Sequence, residues 1–173
     1  MKVEKVNVGL VGLGMVCESH LKAYSAHPNA EVMAICDLDA ARLKEIATKY
    51  GIPQTYTSYE QMLQDTEINT VDITTPTILH SPMALAAAMA GKNILCEKPF
   101  CLTLTEGQEV CEAAHTQGVT LMVGASYIFM TSLKQARTLI DAGEIGKPQQ
   151  IRQRFGSWVE RPGVLETGRP VTD

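Results

Sequence analysis

No apolar run in this chain is long enough to cross a bilayer, which takes roughly 20 residues. From Met1 to Leu10 the chain mixes Lys2, Glu4, Lys5 and Asn7 with valines and lacks the apolar block of a signal peptide. No segment is strongly basic, and the formal net charge is −4. Nucleic acids and anionic membrane surfaces, which are held by clustered Lys and Arg, are therefore not expected partners. The cysteines number five, an odd count, and no two of Cys17, Cys36, Cys96, Cys101 and Cys111 stand at C-x-x-C spacing. Neither a disulfide framework nor a zinc site is indicated. The four histidines, His20, His27, His80 and His115, show no H-E-x-x-H or comparable ligand spacing, so no metal is expected. Repeats and low-complexity tracts are missing too. What remains is a globular chain expected in the cytoplasm.

The chain's 173 residues are 45% apolar and 20% charged, enough to bury one ordinary core and begin a second. Short β-rich runs alternate with segments of helical period. The runs are Lys5–Val11, Glu31–Cys36, Val71–Thr75, Asn93–Cys96 and Val119–Val123, with a shorter one near Gln54–Thr57. Between them lie helical stretches with end signals. Gly51, Gly91 and Gly118 close helices; Ser58 to Gln61 and Thr103 to Glu106 have capping-box spacing; Ser81-Pro82 reads as a cap followed by proline at the first helical position. Strand–helix alternation implies right-handed βαβ units, a doubly wound α/β sheet over residues 1–123. From 124 to 173 the rhythm changes. A helix near Thr131–Ala142 and a face-alternating strand at Gln150–Phe155 read as the start of an α+β second domain, and an unpaired strand edge invites self-association.

The first strand ends in Gly9-Leu10-Val11-Gly12-Leu13-Gly14-Met15-Val16-Cys17, with the first two glycines of G-x-G-x-x-G. Gly12 suits the tight turn, and Gly14 lets the main chain approach a pyrophosphate. The amides of Met15 and Val16 would bond that pyrophosphate, while Cys17 holds the third, small-residue position. Asp37 follows Cys17 by 20 positions, at the end of the second strand, where a carboxylate accepts from the ribose hydroxyls of NAD. The neighbouring Leu38 offers nothing to a 2′-phosphate, so NAD is favoured over NADP. Asp37 could instead cap the next helix; for Asp39 capping is the favoured reading. Two more clusters follow strand ends: Thr74-Thr75-Pro76-Thr77 with His80, and Glu97-Lys98-Pro99. A lysine at that edge could orient a substrate hydroxyl and help deprotonate it, or simply pair with Glu97.

These residues resemble the Gfo/Idh/MocA (glucose-fructose oxidoreductase/inositol dehydrogenase) family. The resemblance rests on the glycine turn, His20, Asp37, Thr75-Pro76-Thr77-Ile78-Leu79-His80, Ala90-Gly91-Lys92 through Glu97-Lys98-Pro99, and Leu139 to Pro148. It implies a Rossmann domain with Gly12, Gly14, Met15, Val16, Asp37, Thr75, Pro76, His80, Glu97 and Lys98 around the cofactor, and Lys98 as the catalytic residue. Tyr127 falls where the family often adds a polar contact. The implied reaction is NAD(P)-dependent oxidation of a secondary alcohol on a sugar, polyol or cyclitol, by a homo-oligomer. Family members run past about 300 residues, so an incomplete second domain and little turnover alone are expected. The alternative is a non-catalytic dinucleotide sensor. His20 itself is expected only to pack its helix.

Overall fold

The computed structural model describes residues 5–152. They fall into two units, one through Ser126 and one from Tyr127. In the first unit, β1 (Val6–Val11), β2 (Ala30–Cys36), β3 (Gln54–Tyr56), β4 (Thr70–Ile73), β5 (Asn93–Cys96) and β6 (Leu121–Val123) form one parallel sheet in the order β3-β2-β1-β4-β5-β6. The order reverses direction between β1 and β4. Sheets of this kind open a crevice at that point, beyond the carboxyl ends of the strands.

Helices α1 (Cys17–Ser25), α2 (Ala40–Tyr50), α3 (Tyr59–Leu63), α4 (His80–Met89) and α5 (Leu104–Gln117) make the crossovers. Side chains alternating along the strands divide the core in two. Val8, Leu10 and Ile35 pack with Cys17 and Leu21 of α1 and Leu43 and Ile46 of α2. Val11, Val71, Ile73 and Ile94 face the other way, against Met62, Ala84, Ala87, Ala88 and Val110. The alanine face of α4 is what lets that helix lie close to the strands. Each fully buried side chain such as Leu10 or Ile35 contributes about 1.5–3 kcal/mol relative to exposure.

Helix ends follow the sequence signals, with two differences. Thr103 and Glu106 form the reciprocal capping box, and Gly51 and Gly118 take left-handed conformations at their C-caps. Ser58 accepts from the Gln61 amide, but its hydroxyl donates to Glu60 and not into a reciprocal box. The helix expected to begin after Ser81 begins at His80, following a 3-10 turn at Thr77–Leu79. Pro82 is thus inside the first helical turn, where its missing N–H is no loss. The second unit contains α6 (Thr131–Asp141), which carries an Arg137–Asp141 ion pair one turn apart. Of the strand expected at Gln150–Phe155, residues 150–152 are not in a strand, and 153–155 lie outside the described residues.

Candidate dinucleotide site

The turn after β1 is fixed by its own peptide groups. Gly12 N–H donates to Cys36 O at 2.9 Å, and Gly12 O accepts from Thr74 Oγ1 at 2.6 Å. The next peptide is held as firmly, since Leu13 N–H donates to Asp37 Oδ2 at 2.6 Å and Leu13 O accepts from Arg42 Nε at 3.2 Å. Gly12 sits at φ +92°, and a Cβ there would lie 2.8 Å from Thr75 Cγ2 and 2.9 Å from the Thr74 carbonyl. Only glycine fits. At Gly14 an added Cβ would meet nothing within 4 Å, so the space above that residue is open. The amides of Gly14, Met15 and Val16 have no intramolecular acceptor among the described residues. Three free donors before the first turn of α1, with open space in front, suit an anion.

Asp37 ends up with two tasks. One carboxylate oxygen holds the Leu13 amide, and the other accepts from Asp39 N–H at 2.9 Å. Each oxygen keeps a further lone-pair site for a ribose hydroxyl. Capping of α2 falls to Asp39, which accepts from Ala41 and Arg42. A cleft of about 560 Å³ runs from this carboxylate, lined among others by Gly12, Leu38, Ser58, Pro76 and Met83. Leu38 is 91% exposed at its mouth. The cleft's lining is mainly apolar, which suits a flat aromatic base, and its two carboxylates, Asp37 and Glu60, disfavour a 2′-phosphate.

His80 bonds Thr75 of this lining. It is 1% exposed, and its ring nitrogens stand 2.8 Å from Pro99 O and 2.8 Å from Thr75 O. Its role in the described residues is to tie the loop after β4 to the loop after β5. Glu97 and Lys98 follow β5, and the Lys98–Pro99 bond is cis. Lys98 is exposed, with no ion pair among the described residues, so the simple pairing with Glu97 is not formed. Glu97 looks elsewhere. Its Oε2 accepts from the Lys98 amide at 3.0 Å, and its Oε1 stands 3.2 Å from His20 Nε2. Tyr127 lies in the second unit, half exposed.

His20 is the residue the sequence reading missed. It is more than helix packing, because its other nitrogen, Nδ1, bonds the fully buried Asp72 at 2.7 Å. A polar residue in an otherwise apolar strand, Val71-Asp72-Ile73, was the available signal.

Comparison with known proteins settles the relationship. The sequence model of the Gfo/Idh/MocA family, described as an oxidoreductase family with an NAD-binding Rossmann fold, matches residues 6–125. The chain belongs to this family. Among Gfo/Idh/MocA relatives, it is 34% identical to the uncharacterized oxidoreductase YrbE of Bacillus subtilis over 149 residues, covering 86% of this chain and 44% of the relative. It is 32% identical to inositol 2-dehydrogenase of Salmonella typhimurium over 152 residues, covering 86% of this chain and 45% of the relative. A solved levoglucosan dehydrogenase, in complex with NADH and levoglucosan, superposes with a TM-score of 0.79 at 31% identity, covering 83% of this chain and 41% of that one. The chain spans less than half the length of the curated relatives it matches. No helix among the described residues is long and apolar enough to cross a membrane.

Proposed function

We propose that this chain is the NAD-binding part of a dehydrogenase that oxidises a secondary alcohol of a sugar, polyol or cyclitol. The observation that carries the reading is the pairing of free amides at Gly14, Met15 and Val16 with the Asp37 carboxylate across one crevice. A pyrophosphate on those amides and a ribose on that carboxylate would use both features. The Asp37 side chain would accept from the ribose hydroxyls, Thr75 and Pro76 would border the nicotinamide half, and the apolar cleft beyond Leu38 would take the adenine. Bound NAD⁺ supplies the hydride acceptor. The chain's own contribution is placement: Lys98, at the exposed end of β5, is the group for holding the reacting hydroxyl and exchanging its proton. Relatives named as inositol and levoglucosan dehydrogenases support a polyol or sugar as the substrate class. Little turnover is expected from these 173 residues by themselves.

Calorimetric titration of the chain with NAD⁺ and NADP⁺ tests the proposal. Saturable binding that favours NAD⁺ is expected. Asp37→Ala should weaken it by about tenfold to a hundredfold, since a hydrogen bond to a charged group is worth about 1.5–3 kcal/mol. A folded chain that binds neither dinucleotide sinks the reading. Firm binding together with no turnover in any longer form of the protein would favour the sensor.

A further inference from the structure

The cofactor contacts leave one cluster of titratable groups unused: His20 and Tyr24 on α1, Asp72 in β4, and Glu97 after β5. Asp72 is fully buried in a central strand, paired in register with Leu10 on one side and Leu95 on the other. Both donors it receives, His20 Nδ1 at 2.7 Å and Tyr24 Oη at 2.9 Å, fall on Oδ2. Its other oxygen, Oδ1, is buried with no hydrogen-bond partner among the described residues. A carboxylate so placed is costly unless a cation neutralises it. Among the described residues, the only basic side chain touching it is His20.

The imidazole is caught between two carboxylates. Nδ1 faces Asp72 and Nε2 faces Glu97 Oε1 at 3.2 Å. Ionised carboxylates only accept, so a ring that satisfies both must donate from both nitrogens, which makes it an imidazolium. Packing alone does not call for this arrangement, because apolar side chains of similar volume usually stabilise such a site as well or better. What the arrangement adds is at the far end. Glu97, oriented by His20, uses its second oxygen to hold the Lys98 amide at 3.0 Å. Gly124, beyond β6, leaves the space this carboxylate occupies: a Cβ there would stand 3.1 Å from Oε1.

We propose that His20 is a positioning residue, an imidazolium clamped between Asp72 and Glu97 that fixes the Glu97 carboxylate and, through it, the backbone of Lys98. The consequence for catalysis rests on the reading of Lys98 given above. The clamp is a one-proton device. With the proton present, α1, β4 and the end of β5 are tied through one ring. When it leaves, Nδ1 keeps its hydrogen for Asp72, Nε2 turns a lone pair toward Glu97 Oε1, and the repulsion frees the carboxylate. The groups facing the ring set the direction. The Asp72 hydrogen bond raises the His20 pKa above its ordinary value, burial opposes this, and Glu97 adds a smaller push upward. The Tyr24 hydroxyl, itself pushed up by burial and by Asp72, stays protonated. Burial pushes the nearby Cys96 thiol up to about 12, so it adds no charge.

Imidazole and backbone NMR of the 173-residue chain, without dinucleotide, tests the clamp. His20 is expected to carry protons on both nitrogens at pH 6.5, to titrate above that pH, and to move the Lys98 amide resonance with the same midpoint. Asp72→Asn should lower the His20 midpoint by about one pH unit or more and carry the Lys98 transition down with it. His20→Gln should abolish the Lys98 transition in that range. A ring singly protonated at pH 6.5, or a Lys98 amide that stays flat across the His20 titration, overturns the proposal. The wild-type titration decides the matter even if a variant does not fold. Since no cofactor is used, failure of NAD⁺ binding would remove the proposed function and leave this result standing.

Discussion

The turn after β1 is held at its peptide groups by Cys36, Thr74, Asp37 and Arg42, whereas the turn after β5 is held by two histidines arriving from α1 and α4. In the first, the groups held are those of Gly12 and Leu13, and the next three amides are left open. In the second, His20 orients Glu97 and His80 engages Pro99, while Lys98 is left exposed. A turn pinned at its peptide groups presents fixed dipoles at no reorganisation cost, which suits an invariant anion. A turn whose carboxylate is oriented by the His20 imidazole can respond to protons. One edge of one sheet therefore carries both a rigid cradle and an adjustable arm.

The contrast breaks most severely at Gly12. Replacement by alanine forces a side chain into a positive-φ position against Thr74 and Thr75, a strain of about 1–3 kcal/mol before the clash is counted. A fall in Tm of several degrees is expected, at about 2–4 °C per kcal/mol for a chain of this size, together with loss of measurable NAD⁺ binding. Gly14→Ala sharpens the point. Its Cβ meets nothing within the protein, so thermal melting should be nearly unchanged while calorimetry shows NAD⁺ affinity reduced tenfold or more. Equal losses of stability and affinity in that variant would mean the open space is not the pyrophosphate site.

A smaller effect is expected from pH. Because the folded His20 has a raised pKa, this one site holds more proton in the native than in the unfolded chain as pH rises past 6.5. Its contribution to stability is thus complete below 6.5 and is lost as pH rises through the folded value. Urea midpoints measured across this range should decline for the wild type and flatten for Asp72→Asn. The smallest effect belongs to Glu18, whose carboxyl is held at about 2 by Lys49 and then Tyr50. It stabilises above its ordinary value of 4.5, and the gain is lost as pH falls toward 2. Being a surface group, Glu18→Gln should lower Tm slightly in low salt and not at all in high salt.

Much of the first turn was legible because its information is local. Gly12, Gly14 and Asp37 stand within one βαβ unit, and each residue type answers a backbone need at a fixed offset. Strands and glycine-closed helix ends could be read for the same reason. The second turn was only half legible. Glu97-Lys98-Pro99 stands out in the sequence, but its support His20 stands 77 positions from Glu97 and 52 from Asp72, and no periodicity links such residues. His80, placed near the cofactor by resemblance, lies buried between the carbonyls of Thr75 and Pro99 at the first position of α4, one residue before Ser81.

The seam between β1 and β4 reaches further than its few hydrogen bonds suggest. It joins Asn7 to Asn69, 62 positions apart, and the bond from Thr74 to Gly12 that closes the glycine turn crosses the same gap. Closing so long a loop is entropically slow, and topologies dominated by such pairings fold late along that contact. The β1–β3 half can assemble before its dinucleotide cradle exists. A bound cofactor then recognises only the finished sheet. It should slow unfolding in proportion to its affinity and leave the refolding rate untouched.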